Sequence, residues 1–265
     1  MDLSIVIVTY YSADVLGECL RAIGPALRES VLVVDNGSTD ATVSIAHSHG
    51  VHVVELGHNT GFAAAANFGA ERATGRTLCF LNPDTVPEPG LFAEGLEALR
   101  LRPGDCAVPR WVGMGKTIAE GRQPGYTRRR LLADILMANY GIGAASSSNT
   151  PEDRQPPWYW PLGTCLFISR ARFQELGGFD TRYFMYMEDV DFGWRLHRAG
   201  GQVIPLDTPL VHHGAKGTSV PRKRQMALLN RGRIRYGTLH YGRFFGMAVA
   251  LLAAPAALLP QRTGP

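Results

Sequence analysis

Metal-ligand and disulfide spacings are missing from this chain of 265 residues: its four cysteines, Cys19, Cys79, Cys106 and Cys165, form no CxxC pair and have no companion histidine cluster. That excludes a predicted zinc site or disulfide framework, and a reducing compartment is expected. No GxGxxG follows the first apolar run, which argues against a dinucleotide-dependent oxidoreductase. The apolar stretch of residues 244–259 contains Pro255 and falls short of the roughly 20 residues that span a bilayer. Met1-Asp2 leads directly into a strand pattern without a basic leader and cleavage site, so a cytosol-facing protein is expected. There is no internal repeat. Charge is also modest: 27 Lys and Arg against 23 Asp and Glu leave a net charge of +4, with 45% apolar residues. This is ordinary globular composition, enough for one large domain. The slight basic excess suits anionic partners such as sugar nucleotides or lipid surfaces; no nucleic-acid partner is expected.

What is present is an alternation of short β-branched runs with helical spacing. Leu3 to Val8, Val31 to Val34, His52 to Leu56 and Thr77 to Leu81 read as buried strands. Ser12, Ser38 or Thr39, and Asn59 or Thr60 stand where helix N-caps belong, and Gly24, Gly50 and Gly75 near the corresponding ends. Such alternation implies an α/β fold with a mostly parallel sheet, whose ligands bind beyond the carboxyl ends of the strands. From Gly113 to Pro157 the pattern fades, apart from a basic amphipathic helix starting at Arg128; Ser146 to Pro157 is expected to be a mobile loop. Leu162 to Ser169 reads as a strand, and a helix should run from near Glu188 to the Gly200-Gly201 stop. We expect one main domain over residues 1–220. Residues 221–265, basic and then apolar, form an extension suited to a membrane surface.

Four features carry chemistry. Thr9-Tyr10 at the end of the first strand and Asp35-Asn36-Gly37-Ser38 at the end of the second would share one rim, where they suit a base and ribose or, alternatively, simply build turns. Asn59-Thr60-Gly61 leads into an alanine-rich helix carrying Asn67; a helix start with small residues permits close approach of phosphate or sugar oxygens, although tight packing alone would also call for alanine. Asn82-Pro83-Asp84 sets a carboxylate just after an apolar strand, fit for a hard cation or for capping a turn. Glu188-Asp189-Val190-Asp191 places three carboxylates among aromatic residues at a helix start, where a general base can be held ionised toward an acceptor hydroxyl.

Taken in order, Ile5–Tyr10, Val34–Asp40, Asn59–Ala63, Phe80–Asp84, Gly177–Asp180 and Tyr186–Asp191 resemble the inverting family 2 glycosyltransferases, in particular their rhamnosyltransferase-like branch, over roughly residues 3 to 213. The resemblance implies a GT-A-type nucleotide-sugar fold and transfer from a nucleoside diphosphate sugar, with dTDP-rhamnose favoured, to a glycan or glycolipid acceptor. It implies Asp189 as catalytic base and Thr9, Tyr10, Asp35 and Asn36 near the nucleotide. Ser38, Asn59, Gly61, Asn67 and Asn82 complete the substrate site, and Glu188 and Asp191 position acceptor or catalytic loop. Asp84 would hold Mg2+ or Mn2+, with His213, or its neighbour His212, as a further contact. Asn82 replaces the first carboxylate of the family's DxD motif, so weaker metal dependence is expected. A sugar nucleotidyltransferase or a non-catalytic glycan-binding subunit would be the alternatives. A cytoplasmic protein, peripheral on the inner face of the cell membrane, is the location this implies.

Overall fold

The computed structural model describes residues 2–112, 118–141, 157–212 and 221–254. They form two compact units. The first draws on Met1–Gln123, Trp158–Phe184 and Glu188–Ser219, the second on Pro124–Pro157, Met185–Met187 and Val220–Pro265.

The first unit opens as strand-helix alternation: β1 Leu3–Thr9, α1 Ala13–Ile23, β2 Val31–Asp35, α2 Thr42–Ser48, β3 His52–Glu55, α3 Phe62–Arg72 and β4 Thr77–Leu81. Then follow β5 Thr85–Pro87, α4 Leu91–Leu101, β6 Cys106–Val112, β7 Ile118–Ala119 and β8 Arg122–Pro124. Beyond the α5 helix of the second unit (Arg128–Tyr140) come β9 Tyr159–Pro161, β10 Cys165–Ser169, α6 Arg170–Glu175, α7 Glu188–Arg198 and β11 Val203–His212. The main sheet runs β3-β2-β1-β4-β10-β6-β11-β5, with β7 on β6. β1 pairs in parallel with β2 and β4, whereas β10 enters antiparallel to both β4 and β6.

Strand after strand is apolar on both faces because helices cover both sides. Ile5, Ile7, Cys79, Leu81, Cys165 and Phe167 pack under α1 and α4, while Val6, Leu78, Phe80, Leu166 and Ile168 pack under α3 and α7. α3 approaches closely because Gly69 faces Val6 and Val34; a Cβ there would lie 3.0 Å from Val34 Cγ2.

Two of the sequence-predicted caps are corrected. α2 begins after Ala41 rather than Ser38 or Thr39, because Ser38 is committed to Asp35. α3 begins after Gly61 at φ +87°, and Asn59 instead accepts the Gly61 N–H. The strand expected from Leu162 starts at Cys165, since Leu162 N–H is drawn to the Gly121 carbonyl. Most of the predicted loop, residues 146–156, lies outside the described residues.

In the second unit, α5 meets α8 Arg222–Tyr241 and α9 Arg243–Ala253. Leu131, Ile135, Tyr236 and Val249 are buried, and the Tyr241 hydroxyl donates to the Tyr126 carbonyl at 2.5 Å. No helix among the described residues is long and apolar enough to cross a membrane.

Candidate active site

Backbone pairing fixes where the chemistry-bearing residues gather. At the carboxyl ends of β1 and β2, Thr9 opposes Asp35. The buried Asp35 carboxylate accepts from Thr9 Oγ1 (2.9 Å), Ser38 Oγ (2.6 Å) and the Gly37 and Ser38 amides (3.1 and 2.8 Å). It therefore builds the loop that presents the neighbouring groups. Asn36 does the same one residue on: its side chain donates to Asn59 Oδ1 and the Gly61 carbonyl, and accepts from Thr60 N–H at 2.8 Å. Tyr10 and Tyr11 stand above this rim, Tyr11 at φ +51° with its hydroxyl 3.1 Å from Thr39 Oγ1. Thr9, Tyr10, Asp35, Asn36, Ser38, Asn59 and Gly61 are thus brought together.

Asn67 does something else. Its amide donates to the Phe179 carbonyl and accepts from the Phe179 N–H, at 2.8 and 2.9 Å. It thereby clasps the Gly177–Asp180 turn to α3.

Asp84 lies just beyond β4, buried, and β5 aligns Thr85 with His212 of β11. His212 Nε2 consequently sits 3.3 Å from Asp84 Oδ2. His213, the sequence-predicted ligand, lies outside the described residues. The fit to a divalent cation can be read from these two side chains. A carboxylate oxygen and an imidazole nitrogen converge, both suitable donors for Mn2+, and His212 Nδ1 is buried without a partner. Among the described residues no group of three or more His, Cys, Asp or Glu side chains is arranged to hold a metal ion, so remaining coordination would fall to substrate oxygens and water. Asn82 contributes backbone, its N–H donating to the Thr164 carbonyl at 2.9 Å and its carbonyl accepting from Thr85 Oγ1 at 2.7 Å.

That Asn82–Thr164 bond also brings the second carboxylate to the same rim. Gly163, beside Thr164, donates its N–H to Asp189 Oδ2 at 3.1 Å, while Oδ1 accepts from the Val190 N–H at 2.8 Å. Asp189 occupies the first turn of α7, preceded by Tyr186 and Met187 at φ +69° and +74°, a backbone state that costs energy in non-glycine residues. Burial pushes the Asp189 pKa up to about 6, against the lowering effect of these amides. Glu188 is buried with Oε2 unpartnered; desolvation first, and the Asp189 charge second, hold its pKa well above the ordinary value. Asp191, by contrast, is buried in an ion pair with Arg195 at 2.8 Å, where it braces α7.

Sequence reasoning missed Gly163, the amide that aims Asp189; a glycine just before an apolar strand was its only trace. It offered His213 or its neighbour His212 as the further contact, and strand register brings His212 to Asp84.

A mostly parallel mixed sheet flanked by helices, with polar side chains gathered beyond β1 and β2 and carboxylates beyond β4 and at a helix start, is the GT-A glycosyltransferase architecture. Residues 4–191 match the profile of Glycosyl transferase family 2, and the chain belongs to that family. It is 30% identical over 245 residues to the N-acetylglucosaminyl-diphospho-decaprenol L-rhamnosyltransferase of Mycobacterium tuberculosis, covering 82% of this chain and 77% of that one. The fold resembles the crystal structure of GalNAc-T7 with UDP, GalNAc and Mn2+, with a TM-score of 0.65, 16% identity and coverage of 98% and 52%. It also resembles S. aureus TarS 1-349 in complex with UDP-GlcNAc, with a TM-score of 0.61, 16% identity and coverage of 100% and 74%.

Proposed function

We propose that this glycosyltransferase moves a sugar, rhamnose being favoured, from a nucleoside diphosphate donor to a lipid-linked glycan by a single inverting displacement. The observation that carries the reading is the Asp189 carboxylate, held by two backbone amides at a helix start and pushed up to about 6. A base with that pKa is ionised at neutral pH yet basic enough to take a hydroxyl proton as the oxygen attacks the anomeric carbon. Thr9, Tyr10 and the Asp35–Ser38 loop would receive the base and ribose, and the backbone around Asn59–Gly61 would face the sugar phosphate. Asp84 and His212 would hold the divalent cation, Mg2+ or Mn2+. When bound, that ion neutralises charge developing on the departing diphosphate.

The mycobacterial N-acetylglucosaminyl-diphospho-decaprenol L-rhamnosyltransferase supports the rhamnose and the lipid-linked acceptor. dTDP-rhamnose is the donor we favour, and a lipid-linked acceptor suits a protein working at the cytoplasmic face of a membrane. Residues 1–220 are taken as the catalytic domain and 221–265 as its extension; residues 221–265 all fall in the second compact unit, which also takes in Pro124–Pro157.

Asp189→Asn tests the mechanism, because the amide keeps shape and can still accept the Gly163 N–H but cannot take a proton. Transfer is expected to drop about 10²- to 10⁴-fold with donor affinity nearly unchanged. The wild-type kcat/KM should fall with one proton below about pH 6. Turnover of the variant within a few-fold of wild type would remove Asp189 from the reaction.

A further inference from the structure

α9 is apolar on more sides than its packing uses. Its inward side, Gly246, Val249 and Ala253, is buried; Gly246 lies against Thr238, and Gly237 of α8 faces Phe245 and Val249. Its outward side presents Phe244, Met247 and Leu251, which are 90%, 62% and 74% exposed. Steps of three and four residues put them in a single stripe along the helix. Among the described residues, no packing in this unit requires that stripe to be apolar.

The charge beside it has one sign. Arg128 of α5 lies 5.6 Å over the Tyr241 ring and 5.8 Å over the Phe245 ring, which sets the Arg128-Arg129-Arg130 triplet beside the start of α9. Arg243 is exposed there too, and residues 221–265 contain no Asp or Glu. In α5 the one carboxylate, Asp134, accepts from the Tyr126 hydroxyl at 2.6 Å.

We propose that the Phe244-Met247-Leu251 stripe and the adjoining arginines form a docking surface for an anionic lipid bilayer, with α9 lying in the plane of the interface. An 11-residue helix is about 16 Å long, about half of a hydrocarbon core, so it can embed one face but not cross. Bulky apolar side chains beneath a rim of arginines match acyl chains beneath anionic headgroups. A second copy of the chain would set arginine against arginine across a twofold axis. The stripe also carries no hydrogen-bonding side chain with which to read a protein partner. With the reading above it shares only the expectation of a lipid-linked acceptor.

The test is co-sedimentation of the full chain with vesicles of phosphatidylcholine alone and with about one-third phosphatidylglycerol, measured without donor or acceptor, so that docking and transfer can fail separately. Wild type is expected to bind the anionic vesicles, less so as salt rises. The Phe244→Ser, Met247→Ser, Leu251→Ser variant should lose about tenfold or more of that partitioning with its melting temperature retained, since all three side chains face outward. Arg129→Glu with Arg243→Glu should abolish the preference for anionic lipid by a similar factor. Wild type that stays in the supernatant, or a triple-serine variant that binds as wild type does, would overturn the proposal. So would a wild-type dimer that the triple-serine variant turns into a monomer while vesicle binding is unchanged.

Discussion

Glu188 and Asp189 are neighbours whose surroundings ask different things of them. Asp189 has two amides to stabilise its charge, whereas Glu188 Oε2 is buried without a partner. In the unfolded chain Glu188 ionises near its ordinary value of 4.5, but in the fold burial keeps the proton on. The unfolded state therefore holds fewer protons than the folded one above that pH, and stability falls as pH rises toward the raised folded pKa. Below it both states are protonated and the penalty is absent. Glu188→Gln should raise the melting temperature at pH 7 and leave it unchanged near pH 4. Melting curves across pH measure this, and an equal shift at both pH values would contradict it. The carboxylates at this helix start were legible in the sequence because three acids among aromatics are a poor solvated face. Their separate states were not, because burial and amide contacts come from Gly163 and other distant residues.

At the scale of elements, the start of α3 depends on one glycine. Gly61 is at φ +87°, and a Cβ on it would overlap the Phe184 carbonyl, which accepts the Phe62 N–H at 2.8 Å. Through that contact α3 holds the segment that runs into α7, as Asn67 does through Phe179. Gly61→Ala should cost about 2 kcal/mol or more, from left-handed backbone strain plus the overlap. It should also lower kcat more than Asn59→Ala does, because the lead-in to Asp189 shifts. Denaturant melts and initial rates check both; a variant as stable and active as wild type would count against this coupling. The Asn59-Thr60-Gly61 motif was read as leading into an alanine-rich helix, and α3 follows it directly. The helix boundary was missed because Asn59 is committed to bonds with Asn36 and Gly61.

For the molecule as a whole, a site assembled from β1, β2, β4, β5, β11 and α7 should be stabilised by whatever bridges these elements. A nucleoside diphosphate with Mn2+ at about 100 times its dissociation constant adds about 2.7 kcal/mol to folding, roughly 5–10 °C in melting temperature. With EDTA, or in Asp84→Ala, most of that shift should vanish if Asp84 and His212 hold the ion. A thermal shift equal with and without metal, in both proteins, would sink the metal reading. The same screen across uridine, thymidine and guanosine diphosphates identifies the base.

Apolar runs buried on both faces can scarcely be anything but inner strands, so β1, β2 and β4 could be read from Leu3 to Val8, Val31 to Val34 and Thr77 to Leu81, with β1 and β2 each running one residue further in the fold. Because ligands sit beyond the carboxyl ends of such strands, the same reading located Thr9, Asp35 and Asp84, and the acid-rich helix start located Asp189. Local sequence carries this information because side-chain period and turn chemistry act over a few residues. Only the tertiary structure decided that His212 stands at Asp84, that Gly163 aims Asp189, and that Arg128 stands beside Phe245. Those partners are separated by 26 to 128 positions in the chain, and strand register and helix packing, set by the core as a whole, bring them within reach.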